Sequence, residues 1–349
     1  MSFSPKFRTE GLFMMRGFCL LFYIVALTAS NSVDEFNLID YSNLHKMISQ
    51  VNLAKHSHHS CKALNISLPA SLIMFTYTSH ESIELLVTQQ ESMDFWLPGL
   101  KACLNTKFIV ICTDKTAEAK CKDLPHVNCA FVDFSKARES EKYRSSYSFF
   151  TYMKHELMSA VMQSKVDIFY FDLDMLILKD PWSNLDDIIE SNMTYVNYPI
   201  HDILFQQNCG FAGGKDGKDI CDRNGADVNS GQMFIRYSPK VQHYFDYIKS
   251  HKNEIILPPE GSRTLDQDFV GRAALAADLS VCGLNKWHYT SICQAHNCKS
   301  NDDASFRGIV TLHVDCIGGG TFEKNKRLRK YLSNGKANPD GNLGQITIF

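Results

Sequence analysis

The segment Asp167-Ile-Phe-Tyr-Phe-Asp172-Leu-Asp174 closes an apolar run on two aspartates that flank a single residue. In an extended strand, side chains at i and i+2 point the same way, so Asp172 and Asp174 can converge on one point. Two unpaired carboxylates held together repel each other and are costly to desolvate. A divalent cation resolves both problems, and hard oxygen ligands suit Mg²⁺ or Mn²⁺. The ends of parallel strands are also where α/β sheets bind their ligands. The same spacing fits two aspartates at a solvent-exposed strand end, a reading supported by Lys179-Asp180-Pro181 just beyond.

The elements that must position this pair alternate along the chain. Ser71–Thr78 reads as a short buried strand, and a helical stretch follows from about Ile83 to Cys103. Lys107–Asp114 reads as a second strand, Thr116–Lys122 as a short helix and Cys129–Phe134 as a third strand. Phe150, Met153, Leu157 and Val161 form a helical stripe that feeds the strand Ile168–Leu178. Strands alternating with helices predict an α/β fold, a Rossmann-like and mostly parallel sheet flanked by helices. The second half is less regular. Residues 201–226 read as a glycine-rich loop, Val228–Tyr237 as a strand, and Ser238-Pro239 as a helix start with Ser as N-cap. Val241, Tyr244, Phe245 and Ile248 supply that helix with a buried stripe. Thr264-Leu-Asp-Gln267 has capping-box spacing, Ile309–Val314 reads as a late strand, and a basic helix lies near Phe322–Leu332. These features predict a single domain with an elaborated C-terminal half.

The chain has 349 residues, 44% of them hydrophobic, and a formal net charge of −2, enough for a large core and too hydrophobic for wholesale disorder. The near-neutral charge argues against a nucleic-acid partner. Lys6, Arg8 and Arg16 precede an uncharged apolar run, Gly17–Ala29, with Asp34, Glu35 and Asp40 beyond it. That order is the grammar of a secretory signal. Counted from Gly11, the segment approaches the ~20 residues of a membrane span, with its positive flank on the cytoplasmic side as in a type II anchor. The expected organisation is a tail and signal or anchor over 1–30, a stem over 31–68, a domain over 69–335 and a tail over 336–349. Either reading of the apolar run puts the domain in the secretory lumen, on a Golgi membrane if the segment is uncleaved and secreted if it is cleaved. The sequons at Asn65 and Asn192 agree. Of twelve cysteines, Cys19 lies in the apolar run and eleven follow. Their spacings do not form paired CxxC motifs, so disulfides are the expected use, with at least one cysteine unpaired or paired between chains. The cluster His56, His58, His59 reads as a polar loop or stem rather than a metal site.

Asp167–Pro181 resembles the DxD strand of the nucleotide-diphospho-sugar transferase domain, a retaining GT-A glycosyltransferase fold, close to glycosyltransferase family 77. Leu72–Thr78 resembles that family's first strand, with Thr76 and Tyr77 at its nucleotide-binding edge, and Val110–Asp114 its second. Lys154, on the helix before the DxD strand, matches a frequent lysine. Asp227-Val-Asn-Ser-Gly-Gln-Met-Phe-Ile235 resembles the Asn-Ser-Gly strand, and Asp266-Gln267 an Asp-Gln pair that begins a helix. Leu312-His313, Gly318-Gly-Gly320 and Lys324 resemble the closing histidine, glycines and lysine. The resemblance spans about residues 70–332. It implies a lumenal glycosyltransferase using a UDP-sugar donor (galactose, xylose or arabinose), Mn²⁺ or Mg²⁺, and a glycan or glycoprotein acceptor. It implies a metal set of Asp172, Asp174 and His313, with Asp172 also at the nucleotide. Lys154, Gly319 and Lys324 would serve the donor nucleotide and its diphosphate. Asn229, Ser230 and Gly231 would line the donor sugar, with Asp266 and Gln267 near the reacting carbon.

Each assignment has a plainer competitor. A histidine on an apolar strand is often a satisfied core residue, and Asn229-Ser-Gly231 could be a turn entering a strand. Gln267 could cap Thr264, with Asp266 favoured by the helix dipole. Trp182 and Trp287 could pack in the core or stack on sugar. Two other functions share the motif: a phosphohydrolase of the haloacid-dehalogenase type, in which the first Asp is a nucleophile, and a non-catalytic binding module on the same fold.

Overall fold

The computed structural model describes residues 36, 39–53, 59–135, 137, 147–182, 185, 201–207, 228–257, 266–284, 288–292, 306–315 and 320–340. The chain divides into a short unit, Met1–Ile39, and a large one, Asp40–Phe349, which carries every element named below. The apolar run 17–29, the sequon at Asn192, His56, His58, Thr264 and Trp287 lie outside the described residues. Among the described residues, no helix is long and apolar enough to cross a membrane.

The described strands are β1 (Leu72–Thr78), β2 (Phe108–Cys112), β3 (Asn128–Phe131), β4 (Asp167–Phe171), β5 (Met175–Ile177), β6 (Ile203–Gln207), β7 (Val228–Ile235), β8 (Val281–Gly283), β9 (Tyr289–Ser291) and β10 (Thr311–His313). The main sheet has seven strands in the order β3-β2-β1-β4-β7-β6-β8. Its neighbours pair in parallel except at β7, which runs antiparallel to both β4 and β6. A second, three-stranded sheet has the order β5-β10-β9. The helices are α1 (Ser42–Leu53), α2 (His59–Ala63), α3 (Ile83–Ser92), α4 (Leu100–Leu104), α5 (Lys115–Lys122), α6 (Tyr147–Met162), α7 (Pro239–Ser250), α8 (Lys252–Ile256), α9 (Gln267–Ala276) and α10 (Gly320–Ala337). Helix α6 packs on β4, α9 on β7, and α10 on α3. The fold is the expected α/β class. Strands β1, β2 and β4 read as unbroken apolar runs because both faces of a parallel sheet are covered.

Several elements differ from the expectation, each for a local reason. The long helix expected over 83–103 is broken into α3 and α4 by Pro98 and by Gly99, which takes φ +89°. Asp94 then restarts the chain by accepting the backbone N–H of Gly99 at 3.0 Å and of Lys101 at 2.9 Å. Ser238 stands before α7 in extended conformation but makes no capping hydrogen bond, and its hydroxyl is buried without a partner. The stretch expected as a stem contains α1, whose Leu44, Ile48 and Val51 are buried and which packs on β3 and α6. Residues 203–207, expected in a loop, form the fully buried strand β6. Its two glutamines disguised it; both are buried because their amides donate to backbone carbonyls.

The cysteines brace the periphery of the sheet, as expected. Cys61–Cys103 ties α2 to α4, Cys121–Cys129 ties α5 to β3, and Cys282 is also disulfide-bonded. Cys112 is a buried free thiol whose pKa burial pushes up to about 12, so it stays protonated and inert. Trp182 is half-buried and packs against Phe234 at the border of the core.

Candidate active site

Asp172 and Asp174 do not lie in one strand. They occupy the turn between β4, in the main sheet, and β5, in the second sheet. The strand alternation argued from sequence therefore does not bring them together; the turn does. Each side of the turn is clamped by a different sheet. The β4/β7 register ends at Phe171 opposite Gln232, and the next N–H, of Asp172, donates to the Gly231 carbonyl at 2.7 Å. On the other side β10 pairs with β5, His313 stands opposite Met175, and the Val314 N–H donates to the Asp174 carbonyl at 2.8 Å. The buried Gln89, from α3, donates its side-chain amide to the Asp172 carbonyl at 2.8 Å. The two registers thus deliver the Asn-Ser-Gly segment and His313 to the aspartates.

His313 Nε2 lies 3.2 Å from Asp174 Oδ1 and 3.8 Å from Asp172 Oδ2. One ligand atom from each of the three residues falls within 4.8 Å of the others. Gly231 leaves the space beside them. A Cβ there would sit 2.3 Å from His313 Cε1, 2.8 Å from Asp172 Oδ2 and 2.9 Å from Asn229 Oδ1. Two carboxylates, an imidazole and a cradle that a single methyl group would fill suit a divalent cation of the Mn²⁺ or Mg²⁺ type.

Fixed cations balance the acids. Lys324, near the start of α10, ion-pairs with Asp174. Burial alone would raise the Asp174 pKa, but His313 and Lys324 outweigh it and hold the carboxyl below its usual range. Burial alone would lower His313; the Asp174 carboxylate reverses that and raises it. Asp172 is raised, chiefly by burial, with Lys154 opposing. The Tyr170 hydroxyl donates to Asp172 and is itself pushed well above its ordinary range by burial and by that carboxylate. A cleft of about 640 Å³ opens over this group, lined among others by Tyr77, Lys154, Tyr170, Asp172, Asp174 and Lys324. Gly320, with φ +71°, brings the start of α10 to its wall, a conformation that favours glycine.

The remaining expected residues divide into those at the cleft and those behind it. Tyr77 lines the cleft, its ring stacked on Tyr170 and its hydroxyl donating to the Phe150 carbonyl at 2.8 Å. Thr76 points the other way along β1; it is fully buried, has an unpartnered hydroxyl and does not line the cleft. Lys154 Nζ donates to Ser230 Oγ at 2.6 Å and lies 2.9 Å from Asp266 Oδ2. Asp266 is buried at the start of α9 and shares the same oxygen with His155 Nε2 at 2.9 Å. It neither caps α9 nor lines the cleft. Gln267 is half-buried on the first turn of α9, and Gly319 lies outside the described residues. Asn229 accepts the Gly231 N–H at 2.9 Å and donates to Asp315 Oδ2 at 2.8 Å. Sequence reasoning missed Asp315, Tyr170, His155 and Gln206, whose side chain meets His313 Nδ1 at 2.8 Å. Asp315 and Tyr170 carry a signal, the i, i+2 spacing from His313 and Asp172. Gln206 carries none in a stretch that reads as loop.

Residues 103–328 match the family model of nucleotide-diphospho-sugar transferases. Among solved structures the chain is similar to the galactosyltransferase LgtC in complex with donor and acceptor sugar analogues, at 14% identity over 76% of this chain and 99% of that one, with a TM-score of 0.44. It is similar to mouse xyloside xylosyltransferase 1 at 14% identity over 70% and 98%, with a TM-score of 0.40. It is also similar to the glycosyltransferase GlyE of Streptococcus pneumoniae at 12% identity over 79% and 66%, with a TM-score of 0.41. No curated protein matches the chain in sequence. The matched family is one of transferases, which sets the phosphohydrolase reading aside.

Two outcomes follow from the geometry. Gly231→Ala drives a methyl group into the His313 ring and the Asp172 carboxylate, and should cost about a hundredfold or more in turnover while the fold persists; wild-type turnover in a purified variant contradicts the cradle. For Asp266, burial alone would raise the pKa, but Lys154 and His155 lower it below the usual carboxylate range. A lowered native pKa contributes stability that is full above the unfolded value of about 4 and lost as pH falls through the native one. Asp266→Asn should therefore cost about 3–5 kcal/mol near neutrality and flatten the acid side of the stability curve, measured by urea melts across pH.

Proposed function

The chain belongs to the nucleotide-diphospho-sugar transferase family, and from that premise we propose that it moves galactose, xylose or arabinose from a UDP-sugar to a glycan or glycoprotein acceptor with retention of anomeric configuration. The observation that carries the reading is the Asp172, Asp174, His313 group, whose two aspartates line a cleft of about 640 Å³ with the buried His313 beside them. A cation held by these three residues would supply Lewis-acid neutralisation of the leaving diphosphate. The chain's own residues do the rest. Tyr77 presents a ring face to the nucleobase, its hydroxyl being engaged at Phe150. Lys324 and the opening turn of α10 offer an ammonium and backbone N–H groups to the phosphates. Asn229, Ser230 and Gly231 stand beside the aspartates, where they would shape the donor-sugar side of the site, their polar groups being engaged with one another and with Asp315, Lys154 and Asp172. Asp266 is buried, bonded to Lys154 and His155, and does not line the cleft, so no covalent role at the anomeric carbon is assigned to it.

The test is a panel of UDP-sugars with Mn²⁺, scored by UDP release and transfer. One donor should react, EDTA should abolish the reaction, and Asp174→Ala should lower it by about a hundredfold or more, several kcal/mol of lost charge stabilisation. Full activity in EDTA or in Asp174→Ala sinks the metal assignment. Mn²⁺-dependent UDP binding with no transfer to any acceptor marks a binding module instead.

The site of action we propose is the secretory lumen, with residues 11–30 as a Golgi type II anchor or, if cleaved, a signal for secretion. The reading is supported by the positive-then-apolar order of the N-terminus, by the disulfides and by the exposed sequon residue Asn65. The domain should resist protease in sealed microsomes and be digested once detergent is added; digestion in intact vesicles overturns the lumenal assignment.

A further inference from the structure

The imidazole of His313 has two nitrogens, and only one can face the aspartates as a ligand. Which one carries the ring proton depends on the partner of the other. That partner is Gln206, buried in β6 on the adjoining sheet, whose side-chain oxygen lies 2.8 Å from His313 Nδ1. An amide can be turned end for end, but here the choice is forced. Gln206 Nε2 faces two backbone carbonyls, Tyr289 at 3.2 Å and Thr290 at 3.0 Å. Oxygen in that position would set three acceptors against one another in a dry interior. The nitrogen therefore faces β9, and the acceptor oxygen faces His313. Nδ1 must then be the donor.

We infer that Gln206 is a positioning residue for the metal site: it holds the ring proton of His313 on Nδ1 and so presents the Nε2 lone pair to the space shared with Asp172 and Asp174. The proposal deepens the metal-dependent reading of that site and rests on it. The device spans both sheets. Gln206 belongs to the main sheet, its two carbonyl acceptors to β9, and His313 to β10, which pairs with β9. Neighbouring Gln232 makes a parallel tie, accepting the Thr311 hydroxyl at 2.8 Å. Hydrogen bonds of this kind to a ligating histidine fix its orientation, and their loss weakens metal affinity about 10- to 100-fold.

The test measures Mn²⁺ binding directly, by the loss of free Mn²⁺ signal in electron paramagnetic resonance, on the full chain without donor or acceptor. Wild type, Gln206→Leu, His313→Ala and the double variant form a cycle, with thermal melts as the check on folding. The expected result is a 10- to 100-fold weaker affinity in Gln206→Leu and no further loss when it is added to His313→Ala. A merely structural glutamine would weaken both backgrounds equally, and that outcome overturns the proposal, as does wild-type affinity in Gln206→Leu. Should Gln206→Leu fail to fold, nitrogen NMR of His313 in the Mg²⁺-loaded wild type decides. A proton on Nδ1 supports the inference, and a proton on Nε2 ends it. Absence of any Mn²⁺ binding by wild type overturns the metal reading and this inference together, whereas binding by wild type with an inert Gln206→Leu overturns this inference alone.

Discussion

The structure depends on a short turn held between two sheets. Residues 172–174 leave the end of β4 and enter β5, so their backbone belongs to neither sheet and must be satisfied by both. Two hydrogen bonds do this, from the Asp172 N–H to the Gly231 carbonyl and from the Val314 N–H to the Asp174 carbonyl. Each comes at the limit of a strand register, so the geometry of whole sheets sets the positions of two carboxylates. The reversed direction of β7 has its use here: it brings the segment Asn229 to Gly231 back across the end of β4. A rigid frame of this sort is what a ligand site built from short side chains requires, since Asp has little reach with which to correct an error in the backbone.

Electrostatics sets the second constraint. Gathering Asp172, Asp174 and Asp266 in a largely buried region is unfavourable unless cations are built in beside them. Lys154 pairs with Asp266, which also bonds His155 Nε2, while His313 and Lys324 serve Asp174. Asp172 has the weaker compensation. It accepts a hydrogen bond from Tyr170, and burial raises its pKa against the opposing charge of Lys154. A divalent cation at this point would supply what the protein does not. Lys154 links the two groups, since it lines the cleft and also touches Ser230 and Asp266 behind it.

Buried amides carry much of the positioning. Gln89 supports the turn, Gln206 meets His313, Gln207 donates to the Leu284 carbonyl, and Gln232 accepts from Thr311. Each has both a donor and an acceptor end, so it can tie a side chain to a backbone group across a sheet boundary without adding charge. That explains why polar residues fill an interior position where an aliphatic residue would otherwise suit the packing.

Much of this was legible in the residues themselves. The apolar runs of β1, β2 and β4 and the helical stripes of α6 and α7 follow from periodicity, which records burial directly, and the two aspartates stand out at the end of one such run. Cysteines beyond the apolar N-terminal run predicted disulfides, though not their partners, because pairing depends on distance in space. Strand β6 escaped, since a glutamine satisfied by backbone carbonyls looks the same in sequence as one facing water. The break at Pro98-Gly99 is marked in the sequence by the two residues least suited to a helix interior. What only the tertiary structure decided is which side chains meet. It set Asp172 and Asp174 in a turn rather than a strand, placed His313 between them through the β5/β10 register, and turned Asp266 inward to Lys154 and His155. The physical reason is that periodicity reports which face of an element is buried, whereas a site is made where the ends of several elements come together, and those registers are set by long-range pairing that no local pattern encodes.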